Sequence, residues 1–261
     1  MPLMNPNPVF NRVEKESNQS VAVDNIEVSS VATAKFSSIL LKTLVLFLVA
    51  IGSGVGFVYL VLTQGEAFLG TAIILVIAAP FLAVIFILIG MISTKLAPVF
   101  SVLYSALQGV TLGVLCAIVE IVFPGIAITA LVSVVGIFVV MLALYSIKAI
   151  RATAKFYRFM AIAGVSALVI LLTSWIMSMF GLMIPIGSDM FFIVILFDIF
   201  LIVFGALMFI MDFDRAKQLA DNGAPKKYEW QVSLGMMVTI VWLFTRILIL
   251  LIRIAALAGR R

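Results

Sequence analysis

The sequence contains no histidine, only one cysteine (Cys116), and few charges: Asp, Glu, Lys and Arg together make up 11% of it. Without histidine the commonest metal ligand, the usual neutral-pH switch and the base of a Ser-His arrangement are all missing. Zinc chemistry and triad hydrolysis are excluded, and no cofactor is implied. A lone cysteine cannot form an intramolecular disulfide. The basic residues outnumber the acidic ones by 17 to 12, but they are scattered between apolar stretches, which fits topology signals better than a nucleic-acid interface. No nucleic acid is expected as a partner.

What is abundant is hydrocarbon. Of the 261 residues 64% are apolar, and the mean hydropathy is +1.30, well above the roughly 45–50% apolar content of a soluble domain. A membrane-crossing helix needs about 20 apolar residues, and such stretches recur along the chain. The expected fold is all-α: a polytopic bundle of seven transmembrane helices, with the lipid bilayer as its main partner.

Residues 1–36 mix Pro, Asn, Ser and charges of both signs and contain no apolar core of signal-peptide type near the start. They read as a cytoplasmic tail, disordered by composition, ahead of a transmembrane domain over 37–261. Candidate spans are Ile39–Leu62, Gly70–Ile92, Pro98–Val119, Ile126–Ile147, Phe159–Phe180, Met190–Met211 and Gln231–Leu257. The one long connection is DFDRAKQLADNGAPKKYEW. The tail with the entry to the first span, and the second, fourth and sixth loops, hold thirteen Lys and Arg residues, among them Lys42, Lys95, Arg151 and Lys226. The other three loops hold none. That bias places the N-terminus and the even loops in the cytoplasm. Arg260 and Arg261 run against it, because seven crossings leave them outside; a last segment that re-enters without crossing is the alternative, and its length favours crossing.

Small residues at helix-packing spacing occur as Gly52 and Gly56 in the first span and Gly109 and Gly113 in the third, where a Gly-x-x-x-Gly pair lets backbones approach closely. Pro80, inside the second span, should bend it. Tyr157, Tyr228 and Trp230 fall near interfaces, where amphipathic rings anchor helices.

Ionisable groups at membrane depth are costly and face a partner or a water-filled path. Asp198 lies inside the sixth span, Asp212 ends it, and Arg246 lies deep in the seventh. Asp198, Gly205 and Asp212 repeat every seven residues and so share one helix face. Counting inward at 1.5 Å per residue puts Arg246 about 22 Å, and Asp198 about 18 Å, from the inner side of a core about 30 Å thick. The two should therefore meet. Asp212 would meet Arg246 only if the last helix effectively began nearer Thr239. Such a pair either ties two helices together statically or lines an ion path; the sequence leaves both open. An intramembrane enzyme is disfavoured, for the spans show no convincing paired aspartates and no activated nucleophile.

The stretch MDFDRAKQLADNGAPKKYEWQVSLGMMVTIVWL (211–243) resembles the signature of the Bax inhibitor-1 family in its bacterial branch, the transmembrane Bax inhibitor motif proteins. FPGIAITA (123–130), MLALYSIKAIRATAKF (141–156) and NPVF (7–10) are similar to it as well. The resemblance implies seven helices with the last one central, and a calcium leak governed by pH. It implies a latch in which the acid matched by Asp212, within an Asp-Phe-Asp that also contains Asp214, shares a proton with an acid of the last span. It further implies a bacterial inner-membrane location. The implied alternative role is binding another membrane complex, such as a membrane-anchored protease, through the tail. Here the sequence departs from the family pattern: Arg246 stands where the last-span acid is expected, Gln108 where the third span would carry Glu, and Asp198 where a small polar residue is usual. An acid replaced by a base is expected to weaken any dependence of the leak on pH.

Overall fold

The computed structural model describes residues 33–64, 66–150, 152–181 and 189–258. The tail, apart from its last few residues, and the terminal arginines Arg260 and Arg261 lie outside the described residues. The helices are α1 (Phe36–Gln64), α2 (Glu66–Ile92), α3 (Ala97–Val122), α4 (Ile126–Ser146), α5 (Ala154–Met179), α6 (Asp189–Asp221) and α7 (Glu229–Ala258), with a 3-10 turn at Lys226–Tyr228 before α7. Among the described residues six segments are long and apolar enough to cross a membrane: Phe36–Thr63, Ala97–Val122, Ile126–Ser146, Ala154–Thr173, Phe191–Asp221 and Lys226–Ala258. From α2 comes a shorter apolar stretch, Ile77–Ile92. The protein is thus an all-α polytopic membrane bundle.

Its outside is as apolar as its inside. Ile121 is 84% exposed, Leu62 78% and Phe81 73%. Water would penalise such a surface heavily, whereas hydrocarbon does not. In the core, α7 packs against α1, α3, α4 and α6, and more lightly against α2. Twelve of its residues are buried, from Glu229 to Leu248. It is one unbroken helix of 30 residues, about 45 Å at 1.5 Å per residue, longer than a hydrocarbon core of about 30 Å.

Two expectations are corrected. The stretch DFDRAKQLAD is not loop but the last turns of α6, which continues to Asp221. Phe213, Ala216 and Leu219 bury one face of it, and Lys217 reaches Asp221 at 3.2 Å on the outer face, so an amphipathic helix forms where the charges suggested a linker. The α1–α3 contact also differs. A Cβ on Gly52 or Gly56 would meet nothing within 4 Å, whereas one on Gly54 would stand 2.6 Å from Gly109 O. Gly109 lies against Ala50 and Ser53, and Gly113 against the backbone of Gly54. Residues two apart point about 200° apart around a helix, so Gly52 and Gly56 face away from α3. The α1 side of the small-residue seam is Ala50 and Gly54, sealed by Ser53 Oγ donating to Ala106 O at 3.0 Å.

Pro80 lies inside α2, which remains one helix across it. The turn from α3 into α4 uses Gly125 at φ 86°, a left-handed conformation that suits glycine; its N–H donates to Glu120 Oε1 at 2.6 Å.

Candidate functional site

The charged residues of α6 and α7 meet along one seam. Gly205 is the contact point: a Cβ there would be 2.6 Å from the Trp242 ring and 2.9 Å from Leu243 Cδ1. Asp198 and Asp212 lie seven residues to either side of it, on the same face, and both are buried.

Asp212 Oδ2 accepts a hydrogen bond from Thr239 Oγ1 at 2.7 Å. The same hydroxyl is 3.3 Å from Gly235 O, so its single proton goes to the nearer carboxylate. Arg215, one turn along α6 and half-exposed, stands 3.8 Å from Asp212 Oδ1. Asp212 therefore meets α7 through a neutral group.

Asp198 is ion-paired with the Arg253 guanidinium, which donates to its Oδ2. This corrects the expected partner, Arg246. Arg246 makes no ion pair with Asp198 or Asp212; its guanidinium carbon lies 5.6 Å over the Trp242 ring, and its Nε is buried without a hydrogen-bond partner among the described residues. The reason is length. Helix α6 has 33 residues and α7 has 30, about 50 and 45 Å at 1.5 Å per residue, so both outrun the hydrocarbon layer. Counting inward from ends assumed flush with a core about 30 Å thick displaced the register by two turns. In the observed register Arg246 stands opposite Gly205, midway between the two acid contacts.

Asp214 does not belong to the seam. Two residues from Asp212, it points to another side of α6, where its carboxylate accepts from Tyr145 OH at 3.2 Å, Tyr157 OH at 3.0 Å and Gln218 Nε2 at 2.6 Å. It joins the ends of α4 and α5 to α6. Tyr157, read from sequence only as an interface anchor, is one of its ligands.

A second buried carboxylate cluster was missed. Glu229, the first residue of α7, has no exposed surface. Its Oε1 accepts from Lys35 N at 2.9 Å, its Oε2 accepts from Ser38 Oγ at 2.7 Å, and Lys42 Nζ donates to the same oxygen. Lys42 also lies 5.1 Å over the Trp230 ring. Beside this cluster Thr33 pairs with Pro225 in an antiparallel bridge, and Ala34 N donates to Ala224 O at 2.8 Å. The start of α1 is thereby fastened to the start of α7. The sequence signal was the acid inside Tyr228-Glu229-Trp230, which read as loop because helix propensity alone does not reveal that α1 covers it.

No metal site competes with this arrangement among the described residues, where no three His, Cys, Asp or Glu side chains converge. A family model described as Bax inhibitor 1 like matches residues 7–256, nearly the whole chain. No curated protein and no solved structure matches it.

Proposed function

The chain belongs to the Bax inhibitor 1 like family, and from that premise we propose that it is a slow cation leak, calcium being its ion, gated at the seam between α6 and α7. Asp212 carries the reading. It is a buried carboxylate between two membrane helices whose contact on α7 is a hydroxyl and not a base. That hydroxyl can be exchanged for a cation at lower cost than the direct guanidinium contact of Asp198, while Arg215 stands off at 3.8 Å from the other oxygen on the half-exposed side. Farther along the seam Arg253 neutralises Asp198, and Arg246 places a positive charge between the two acids. A cation following the seam would have to pass these charges, so this arrangement is the closed one, and opening moves α7 against α6.

The seven helices would all cross, with the last enclosed by the others, in the inner membrane of a bacterium. A cytoplasmic N-terminus would fit the charges at the ends of the bundle. Lys35, Lys42, Lys95, Lys148, Lys226 and Lys227 stand at the end where α1 and α7 begin, and Glu120 stands at the other. An excess of Lys marks the cytoplasmic side.

Calcium entry into liposomes containing the purified protein tests the function. Wild-type protein should raise the flux above that of protein-free liposomes, and Asp212→Asn should change it severalfold. A wild-type flux equal to that of protein-free liposomes would remove the leak.

A further inference from the structure

A cavity of about 440 Å³ lies among α1, α3, α4 and α7, away from the α6–α7 seam. Its wall is carbon: Phe47, Gly54 and Val58 of α1, Leu131 of α4, and Phe244 of α7 are typical. No Cα of α1 comes within 8 Å of one of α4. Val55 and Ile128, which line the cavity from those two helices, are 67% and 58% exposed, so it opens sideways between them into the bilayer. A smaller cavity of about 190 Å³ continues the same gap and shares Phe47 and Ile240 with it.

An apolar cavity of this size stays dry and falls in the range of ligand pockets, roughly 300–1,000 Å³. What can reach it from the membrane is hydrocarbon. Its dimensions and its one charge narrow the choice. Along α1 the larger cavity runs from Phe47 to Val58, about 17 Å at 1.5 Å per residue, which is close to half of a hydrocarbon core about 30 Å thick. That is one leaflet. At its outer end stands the carboxylate of Glu120, exposed and without a basic partner among the described residues. One of its oxygens accepts from Gly125 N; an ionised carboxylate has about four acceptor positions, so capacity remains for a cation.

We propose that this cavity is a binding site for an amine-headed phospholipid of the phosphatidylethanolamine class, drawn from the leaflet at the Glu120 end. One acyl chain fills the space between α1 and α4 down to Phe47, and the ammonium lies against Glu120. The site wedges the lipid between α1 and α4 over α7, so a bound chain sets how closely those helices approach.

Native mass spectrometry of the delipidated full chain, titrated with palmitoyl-oleoyl phosphatidylethanolamine or with the phosphatidylglycerol of the same chains, tests it. Wild-type protein should show one saturable first site that prefers the ethanolamine lipid by roughly threefold to fivefold, the size expected of one interfacial ion pair. Glu120→Gln should keep the site but bring that preference down to about one. Ala117→Phe, which fills the cavity, and Ile128→Trp, which blocks its mouth with little demand on packing, should each weaken the first site at least about tenfold. Binding that is unsaturable in the wild type, or that survives Ile128→Trp unchanged, would show ordinary surrounding lipid and overturn the site. A preference left intact by Glu120→Gln would overturn the role of the amine.

Discussion

Asp198 on α6 is held by Arg253 on α7, in the same antiparallel register that sets Asp212 against Thr239. Fourteen residues separate the two acids and fourteen separate their partners, about 21 Å on either helix. The seam is thus one continuous packing relationship with a salt bridge toward one end and a hydroxyl–carboxylate bond toward the other. Gly205, packed against Trp242, holds the helices close between them.

The pair can be measured. Arg253→Leu leaves the buried Asp198 carboxylate without its base and should destabilise the protein by about 3 kcal/mol, the low end of the range for a broken buried pair, because Arg253 is one-third exposed. Adding Asp198→Asn should recover most of that loss. Arg246→Leu combined with Asp198→Asn should show a smaller coupling than the Arg253 pair, because Asp198 feels Arg246 only through space. Thermal unfolding in detergent provides the cycle. Coupling found at Arg246 and absent at Arg253 would contradict the observed register.

The register also decides where a second acid would create a proton-sharing latch. Thr239 faces Asp212 and Arg246 does not. Two carboxylates brought together share a proton and titrate as a pair. Thr239→Asp should therefore make calcium flux steeper between about pH 6 and 8, while Arg246→Glu should leave its steepness unchanged. Flux at several pH values for both variants is the measurement; steepening by Arg246→Glu alone would place the latch elsewhere.

The membrane class was legible because composition leaves no other solvent for so much hydrocarbon, and the heptad Asp198, Gly205, Asp212 announced one shared face. Which residue of α7 each acid meets was not legible. That depends on how far helices extend past the bilayer, and an amphipathic end such as 212–221 carries the same charges as a loop. Gly52 and Gly56 matched the packing spacing as well as Ala50 and Gly54 did; only the rotation of α1 about its axis separates them, and a helix apolar all round does not encode that rotation. Glu229 stayed hidden because its partners, Lys35, Ser38 and Lys42, lie nearly two hundred residues away.

The glycine seam makes a sharp contrast. Gly113→Leu would drive a side chain into the backbone of Gly54, 2.7 Å from the new Cβ, and should cost about 3 kcal/mol or prevent assembly, as overpacking does at a site that cannot yield. Gly52→Leu meets open space and should be neutral or slightly stabilising, since leucine favours a helix over glycine by about 0.5–1 kcal/mol. Unfolding midpoints of the two variants test this, and equal losses would deny the assigned face of α1.

Removing the buried acid at the head of α7 should be among the most damaging single changes. Glu229→Ala would leave the Lys42 ammonium, only 16% exposed, and the Lys35 N–H and Ser38 hydroxyl without their acceptor. The expected loss is about 3–5 kcal/mol. Glu229→Gln, which keeps an acceptor, should lose less. Thermal unfolding of both variants checks the order; equal stability of Glu229→Ala and wild type would mean the fastening of α1 to α7 contributes nothing.

The claim that the leak opens at the α6–α7 seam is tested most directly by locking that seam. With Cys116 replaced by serine, Phe204→Cys and Trp242→Cys, whose rings face each other across α6 and α7 at 6.2 Å, place the only two thiols across the seam and leave Asp212 and Thr239 in place. A short bis-methanethiosulfonate bridge joins them, and a reductant releases it. Calcium flux in liposomes should be present with free thiols, fall to that of protein-free liposomes when bridged, and return on reduction. Flux that persists through complete bridging would contradict the account.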